Sequence, residues 1–177
     1  MSTIDLFILG LLQDKAMNAY EIAQYVQNRQ IFHLMKISQP AIYKNCKKLF
    51  QAGYLTGEKV KEGENPEKII FKVSKEGKKY FLELMQHFSS HVPPFYFDFN
   101  TFIWNMDKLA PEKGLAMLKT LVNELTQLKQ WITHHEKEVS SAPIQIRLIV
   151  KQGRMIIYTL VQWAEEALVE LRGDLKK

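Results

Sequence analysis

Cysteine is almost missing from this sequence: Cys46 is the only one among 177 residues. A disulfide within the chain is therefore excluded, as is a zinc site of the multi-cysteine kind, and the composition fits a reducing cytosol. Long apolar runs are missing too, since none reaches the roughly 18 uninterrupted residues that a membrane helix needs. The opening "MSTIDLFILGLLQD" has no basic start and no small-residue cleavage site, and it carries Asp5. It is read as the first helix of a soluble cytoplasmic protein rather than as a signal peptide. No phosphate-binding glycine loop, nucleophile elbow or HExxH appears, so the expectation is a protein that is not an enzyme and holds no cofactor or metal. Acid is locally absent as well: no Asp or Glu lies between Lys36 and Gly57, a stretch that carries three lysines.

What remains has a globular composition, 46% hydrophobic and 24% charged, with a net charge of +5. Residues 1–87 hold 13 Lys and Arg against 9 Asp and Glu, while residues 88–177 hold 11 against 10. The positive excess lies in the first half, which makes that half the better candidate for an anionic partner.

Ser2 and Asp5 have capping-box spacing ahead of the apolar run Ile4 to Leu12, which predicts a buried first helix. "QDKAM" reads as a turn. Asn18 and Glu21 form a second box, opening a helix to about Arg29 with Tyr20, Ile22, Ala23 and Val26 spaced to pack. "IFHLMKI" alternates and is short, as a small strand would be. Ser38 then caps a helix with Pro40 in its first turn, where a missing N–H costs nothing. At about 100° per residue, Ile42, Cys46 and Leu49 share one face, and Pro40, Lys44, Lys47, Lys48 and Gln51 share the other. Gly53 suits the left-handed residue that ends a helix. "YLTGEKV" and "KIIFKVS" read as a β-hairpin with "KEGENPE" at its tip. Ser74 caps a further helix with Tyr80, Phe81, Leu84, Met85 and Phe88 inward, and "SSHVPP" breaks it.

The second half is predicted to be helical. Pro111 and Glu112 begin one long helix to about Ser140, with Leu115, Leu118, Val122, Leu125 and Ile132 on one stripe and Leu121 and Leu128 widening it. Pro143 begins another to about Leu171, apolar on several sides, which needs a second covering surface such as another copy of the chain. The expected organisation is residues 1–88 as a winged helix-turn-helix domain, 89–97 as a linker and 98–177 as a helical dimerisation domain. The fold class is mainly α with a small β-hairpin wing.

The order helix, helix, short strand, capped lysine-faced helix, two-stranded wing is that of a winged helix-turn-helix and suits DNA, because a helix fits the major groove and lysines displace counterions from phosphates. Three segments, "LGLLQDKAMNAYEI" (9–22), "SQPAIYKNCKKLFQAGYL" (38–55) and "FKVSKEGKKY" (71–80), resemble the PadR family of winged-helix transcriptional regulators. The family's helix motif falls on Ser38, Tyr43, Lys47 with Lys48, Leu49, Gly53 and Leu55. Its Tyr-Glu-Ile falls on Tyr20, Glu21 and Ile22, and its strand-to-helix junction on Phe71, Val73, Ser74 and Gly77. "GRMIIYTLVQWAEEAL" (153–168) resembles the last helix of the longer-tailed members. Departures are Pro40 and Ala19 where the family usually has Gly, Lys44 where it has Pro, and a wing tip carrying Glu62, Glu64 and Glu67 beside Lys61 and Lys68.

The resemblance implies a homodimeric, sequence-specific DNA-binding regulator, a repressor relieved by a small aromatic effector, acting on a pseudo-palindromic operator in double-stranded DNA. The residues assigned to DNA are Ser38, Gln39, Pro40, Tyr43, Lys44, Lys47 and Lys68. The alternative is a winged-helix protein-interaction module without duplex recognition, which the acidic wing tip favours. Three further features each carry two readings. Cys46 is a redox thiol or a small core residue. "HHEKE" (134–138) is a ligand cluster or a solvated helix end. The six aromatics between Phe95 and Trp104 line an effector pocket or pack an interface.

Overall fold

Side-chain caps start every helix of the first half. In this computed structural model, which describes residues 1–61, 67–92, 94 and 96–174, Ser2 Oγ accepts from the Asp5 N–H at 3.2 Å and opens α1 (Thr3–Asp14). The expected reciprocal box is not made there, because the Asp5 carboxylate turns inward to Lys48 instead. At α2 (Ala19–Asn28) both halves of the box are present: Asn18 Oδ1 accepts from Glu21 N at 2.9 Å, and Glu21 Oε2 accepts from Asn18 N at 2.8 Å. Ile22, Ala23 and Val26 are buried as predicted, but Tyr20 is 61% exposed. Two residues of helix turn a side chain by about 200°, so Tyr20 lies opposite Ile22 rather than beside it.

The segment read as a small strand is a 3-10 turn, Ile31–His33. Gln30 enters it with φ +51°, and the N–H groups of His33, Leu34 and Met35 all bond to carbonyls three or four residues back. Backbone groups satisfied locally in this way are not available to a ladder.

Helix α3 (Gln39–Gln51) follows, with Ser38 as its cap and Pro40 in its first turn. Gly53, at φ +77°, ends it in the left-handed conformation, and the Tyr54 N–H closes back on the Leu49 carbonyl at 3.0 Å. Strands β1 (Leu55–Val60) and β2 (Lys68–Val73) pair antiparallel, with Leu55 opposite Val73 and Val60 opposite Lys68. The turn expected before α2 also contributes to the sheet. Met17 and Phe71 exchange two backbone hydrogen bonds, of 3.2 and 2.9 Å, and tie that turn to β2.

Helix α4 (Lys75–Ser90) begins at a junction of four elements. Ser74 Oγ accepts from Gly77 N at 2.9 Å and donates to the Gly53 carbonyl at 2.7 Å, while Ser74 N donates to the Tyr54 carbonyl at 3.1 Å. A Cβ at Gly77 would overlap the Tyr54 carbonyl oxygen, so only glycine allows this close approach. Leu84 is buried on α4 as expected; Met85, about 100° round the helix from it, is half exposed. One core, built from Ile8, Leu9, Leu12, Ile22, Val26, Ile42, Leu49, Leu55, Phe71 and Leu84, joins α1 to α4 and both strands.

The chain divides into two compact units, Met1–Pro94 and Phe95–Lys177. The second contains α5 (Phe99–Trp104), a 3-10 turn (Met106–Lys108), α6 (Pro111–Glu138) and α7 (Ile144–Asp174). Leu118, Leu125 and Ile132 form the buried row of α6 and Val150, Val161 and Ala164 that of α7. Leu121 packs on this core, whereas Leu128 lies at its exposed edge. Polar ties brace the hairpin: Arg154 Nε to Glu136 at 2.9–3.0 Å and Thr133 Oγ1 to Tyr158 Oη at 3.0 Å.

Candidate nucleic-acid interface

Helix α3 sorts its residues by face. Ile42, Cys46 and Leu49 are fully buried, and Gln39, Pro40, Tyr43, Lys44 and Lys47 are exposed on the opposite side. Ser38 is also exposed, but its hydroxyl is engaged as the cap, accepting from Ala41 N at 3.4 Å. Its structural work is to start the helix, which leaves the first-turn N–H groups and the positive end of the helix dipole facing outward.

Beside this face runs an apolar groove of about 510 Å³. Tyr43 and Lys47 from α3, Tyr20 from the start of α2, and Lys68 from β2 line it, over a floor that includes Phe50 and Phe71. Three of the seven residues expected to meet DNA, Tyr43, Lys47 and Lys68, are thus brought together, and among the described residues no carboxylate lines the groove. Gln39, Pro40 and Lys44 stand on the same exposed side of α3 but outside its walls. Tyr20 is the participant that the sequence reading assigned to packing; its place in the first turn after a capping box, out of step with Ile22, Ala23 and Val26, is the signal that marks it.

Lys48 also departs from expectation. It was grouped with the outward lysines, yet its Nζ lies 2.6 Å from Asp5 Oδ2, and the Asp5 side chain is 0% exposed. The hydrogen bond that Lys48 donates to Asp5 holds its ammonium above the ordinary pKa, against the opposing effect of partial burial. On the wing, Glu67 pairs with Lys59 at 2.9 Å, so this acid of the expected tip is matched by a base on the facing strand. Glu62 and Glu64 lie outside the described residues.

The remaining candidates resolve toward packing. Burial pushes the Cys46 thiol up to about 12, which keeps it protonated and unreactive at neutral pH. His134 and His135 both approach Glu138, at 3.2 and 3.1 Å, and His135 stacks on Trp131. Among the described residues no cluster of three His, Cys, Asp or Glu could hold a metal ion. Of the aromatic segment, Phe99 stacks on Phe97 and on Trp163 of α7, while Tyr96 and Trp104 are largely exposed.

Comparison with known families matches residues 8–83 to the "Transcriptional regulator PadR-like family". Residues 8–83 are thus similar to this PadR-like family. The match runs from within α1 to within α4 and takes in α2, α3 and both strands. Solved structures extend the likeness of fold to nearly the full chain. Bacillus subtilis PadR in complex with operator DNA is 17% identical, with a TM-score of 0.81 over 97% of this chain and 98% of that one. The same PadR in complex with p-coumaric acid gives 16% and 0.78, over 97% and 99%. The Vibrio cholerae virulence activator AphA gives 19% and 0.76, over 97% and 99%. A comparison with curated protein sequences finds no match. Among the described residues, no helix of this PadR-like chain is long and apolar enough to cross a membrane.

Proposed function

We propose that this PadR-like protein is a homodimeric transcriptional repressor that binds a pseudo-palindromic operator through α3 and is released by a small aromatic effector. The observation that carries the reading is the exposed face of α3. Gln39, Pro40, Tyr43, Lys44 and Lys47 stand clear of the core on a helix whose capped N-terminus is free to enter a major groove. Lys47 and Lys44 would neutralise phosphates, Gln39 and Tyr43 would approach bases and sugars, and Lys68 would support the wing side. The similarity to a PadR bound to operator DNA, and to the same protein bound to p-coumaric acid, supports both the DNA partner and the chemical class of the effector.

A dimer follows from α7. Leu148 and Met155 are exposed seven residues apart, Val169 follows two heptads after Met155 with Gln162 between them, and Ile144 lies one turn before Leu148. An apolar row at that spacing is the seam by which one helix packs along another, and a second copy supplies it with two-fold symmetry. Two recognition helices about 34 Å apart would then read successive major grooves.

The test is a gel shift on the duplex upstream of the protein's own coding sequence, against a shuffled duplex and across salt. Preferential binding to the first is expected, and binding that is absent or equal on the two refutes the reading. Lys47→Ala is expected to weaken both duplexes alike and to reduce the salt slope by about 2, one for each protomer. A reporter behind the bound region is expected to rise when the protein is deleted; a fall would make it an activator.

A further inference from the structure

Asp5 lies on the buried stripe of α1, at i−3, i−4 and i−7 from Ile8, Leu9 and Leu12, where an apolar residue would be expected. Its side chain is fully buried, with Oδ2 held 2.6 Å from Lys48 Nζ and Oδ1 without a hydrogen-bond partner among the described residues. A buried carboxylate satisfied on one oxygen only is a poor stabiliser, because desolvation offsets much of what its single partner returns. The pair instead has a consequence for charge. Lys48 follows Lys47 and stands one helical turn after Lys44, and its side chain is still 55% exposed. A long flexible ammonium at that position is within the outward lysine group of the recognition helix unless something holds it back.

We propose that Asp5 is a specificity-determining positioning residue: it masks the Lys48 ammonium, withholding it from DNA phosphates, and fixes α3 against α1. The inference rests on the reading that α3 meets DNA. A free Lys48 would add a phosphate contact that every sequence offers equally, and would thereby raise non-specific binding without improving the specific site. Pairing it from inside the domain leaves Lys44 and Lys47 as the α3 lysines without an ion-pair partner among the described residues. The same bond links α1 to α3 across 43 residues of sequence, so the helix that reads DNA is oriented by a contact on its opposite flank.

The experiment is fluorescence anisotropy of the full-length protein on the upstream duplex and on a shuffled duplex, over 50–200 mM KCl. Three proteins are compared: wild type, Asp5→Asn, and the double variant Asp5→Asn with Lys48→Met, with circular dichroism recording the fold of each. Asp5→Asn is expected to tighten binding to the shuffled duplex several-fold. It should also steepen the salt slope by about 1.8 on both duplexes, about 0.9 for the Lys48 of each protomer, roughly a twelvefold extra loss of affinity across that salt range. The double variant, which removes both charges together, is expected to return to the wild-type slope. A merely structural bond would lower affinity without steepening the slope. A folded Asp5→Asn protein with an unchanged slope overturns the mask. So does a double variant whose slope is flatter than wild type by about two ions, one for each protomer, which would mean that Lys48 already touches phosphate. That comparison decides the matter even if Asp5→Asn alone fails to fold. Wild-type protein that binds neither duplex overturns the DNA reading itself and the mask with it, an outcome distinct from binding with unaltered slopes.

Discussion

The two units of this chain solve the problem of helix stability differently. In Met1–Pro94, α1 to α4 are each capped by a side chain, Ser2, Asn18, Ser38 and Ser74, and their apolar stripes close on a shared core. In Phe95–Lys177, Asp98 and Ala110 make no side-chain cap for α5 and α6, and α7 leaves Ile144, Leu148, Met155 and Val169 outward. The first unit is specified by local chemistry and completes its own interior. The second gains its order from length, from one seam between α6 and α7, and from whatever covers the other side. A domain that must present a short helix to a partner in one fixed orientation needs the first solution. A pair of helices about 40 Å long, at 1.5 Å per residue, can rely on the second.

Breaking the closed core should have the largest effect. Leu49→Ala removes a fully buried side chain from α3 and is expected to cost about 2–5 kcal/mol in urea unfolding, followed by circular dichroism. On α7, Leu148→Lys with Met155→Lys is expected to weaken self-association by tenfold or more, seen as monomer in sedimentation at micromolar concentration, while the isolated protomer stays folded. A dimer that survives both charges would place the seam elsewhere.

The caps sharpen the contrast further. Ser38→Ala should destabilise by about 1 kcal/mol, whereas Ala110→Ser should add some of the same stability to α6, because Ala110 already has the extended ψ of 137° that a cap residue adopts. Both changes are read from thermal or urea midpoints. The smallest effect concerns Cys46. Its thiol, raised by burial from its ordinary 9.0 to about 12, stays neutral in the folded chain. Folded protein should therefore resist iodoacetamide at pH 8 and react once unfolded. Above pH 9 the unfolded chain binds fewer protons at this site than the native one, so stability should decline as pH rises toward 12.

Much of this was legible in the sequence where one residue type has one job. Ser38, Pro40, Gly53 and Ser74 stand where capping and turn chemistry predict, and the seven-residue row Leu118, Leu125 and Ile132 lies on the buried face of α6. The failures came where a residue could serve either of two faces. Tyr20 and Met85 are apolar enough to be assigned inward, and a shift of 100–200° on the helical wheel puts them outside. Lys48 sat among lysines and was grouped with them, although a carboxylate on the buried stripe of α1 calls for a base within reach of it. Strand-like alternation in "IFHLMKI" lost to local hydrogen bonds after the left-handed Gln30. The Met17–Phe71 pairing joins residues 54 positions apart, which no short window of sequence reports.

The junction at Ser74 acts as a bearing. Ser74 grips the carbonyls of Gly53 and Tyr54, just beyond the Ala52 cap of α3, while its hydroxyl also seats the first turn of α4. Helix α4 is the segment by which the chain leaves for its second half. The start of α4 is therefore joined to the end of α3 through one serine, with no intervening loop.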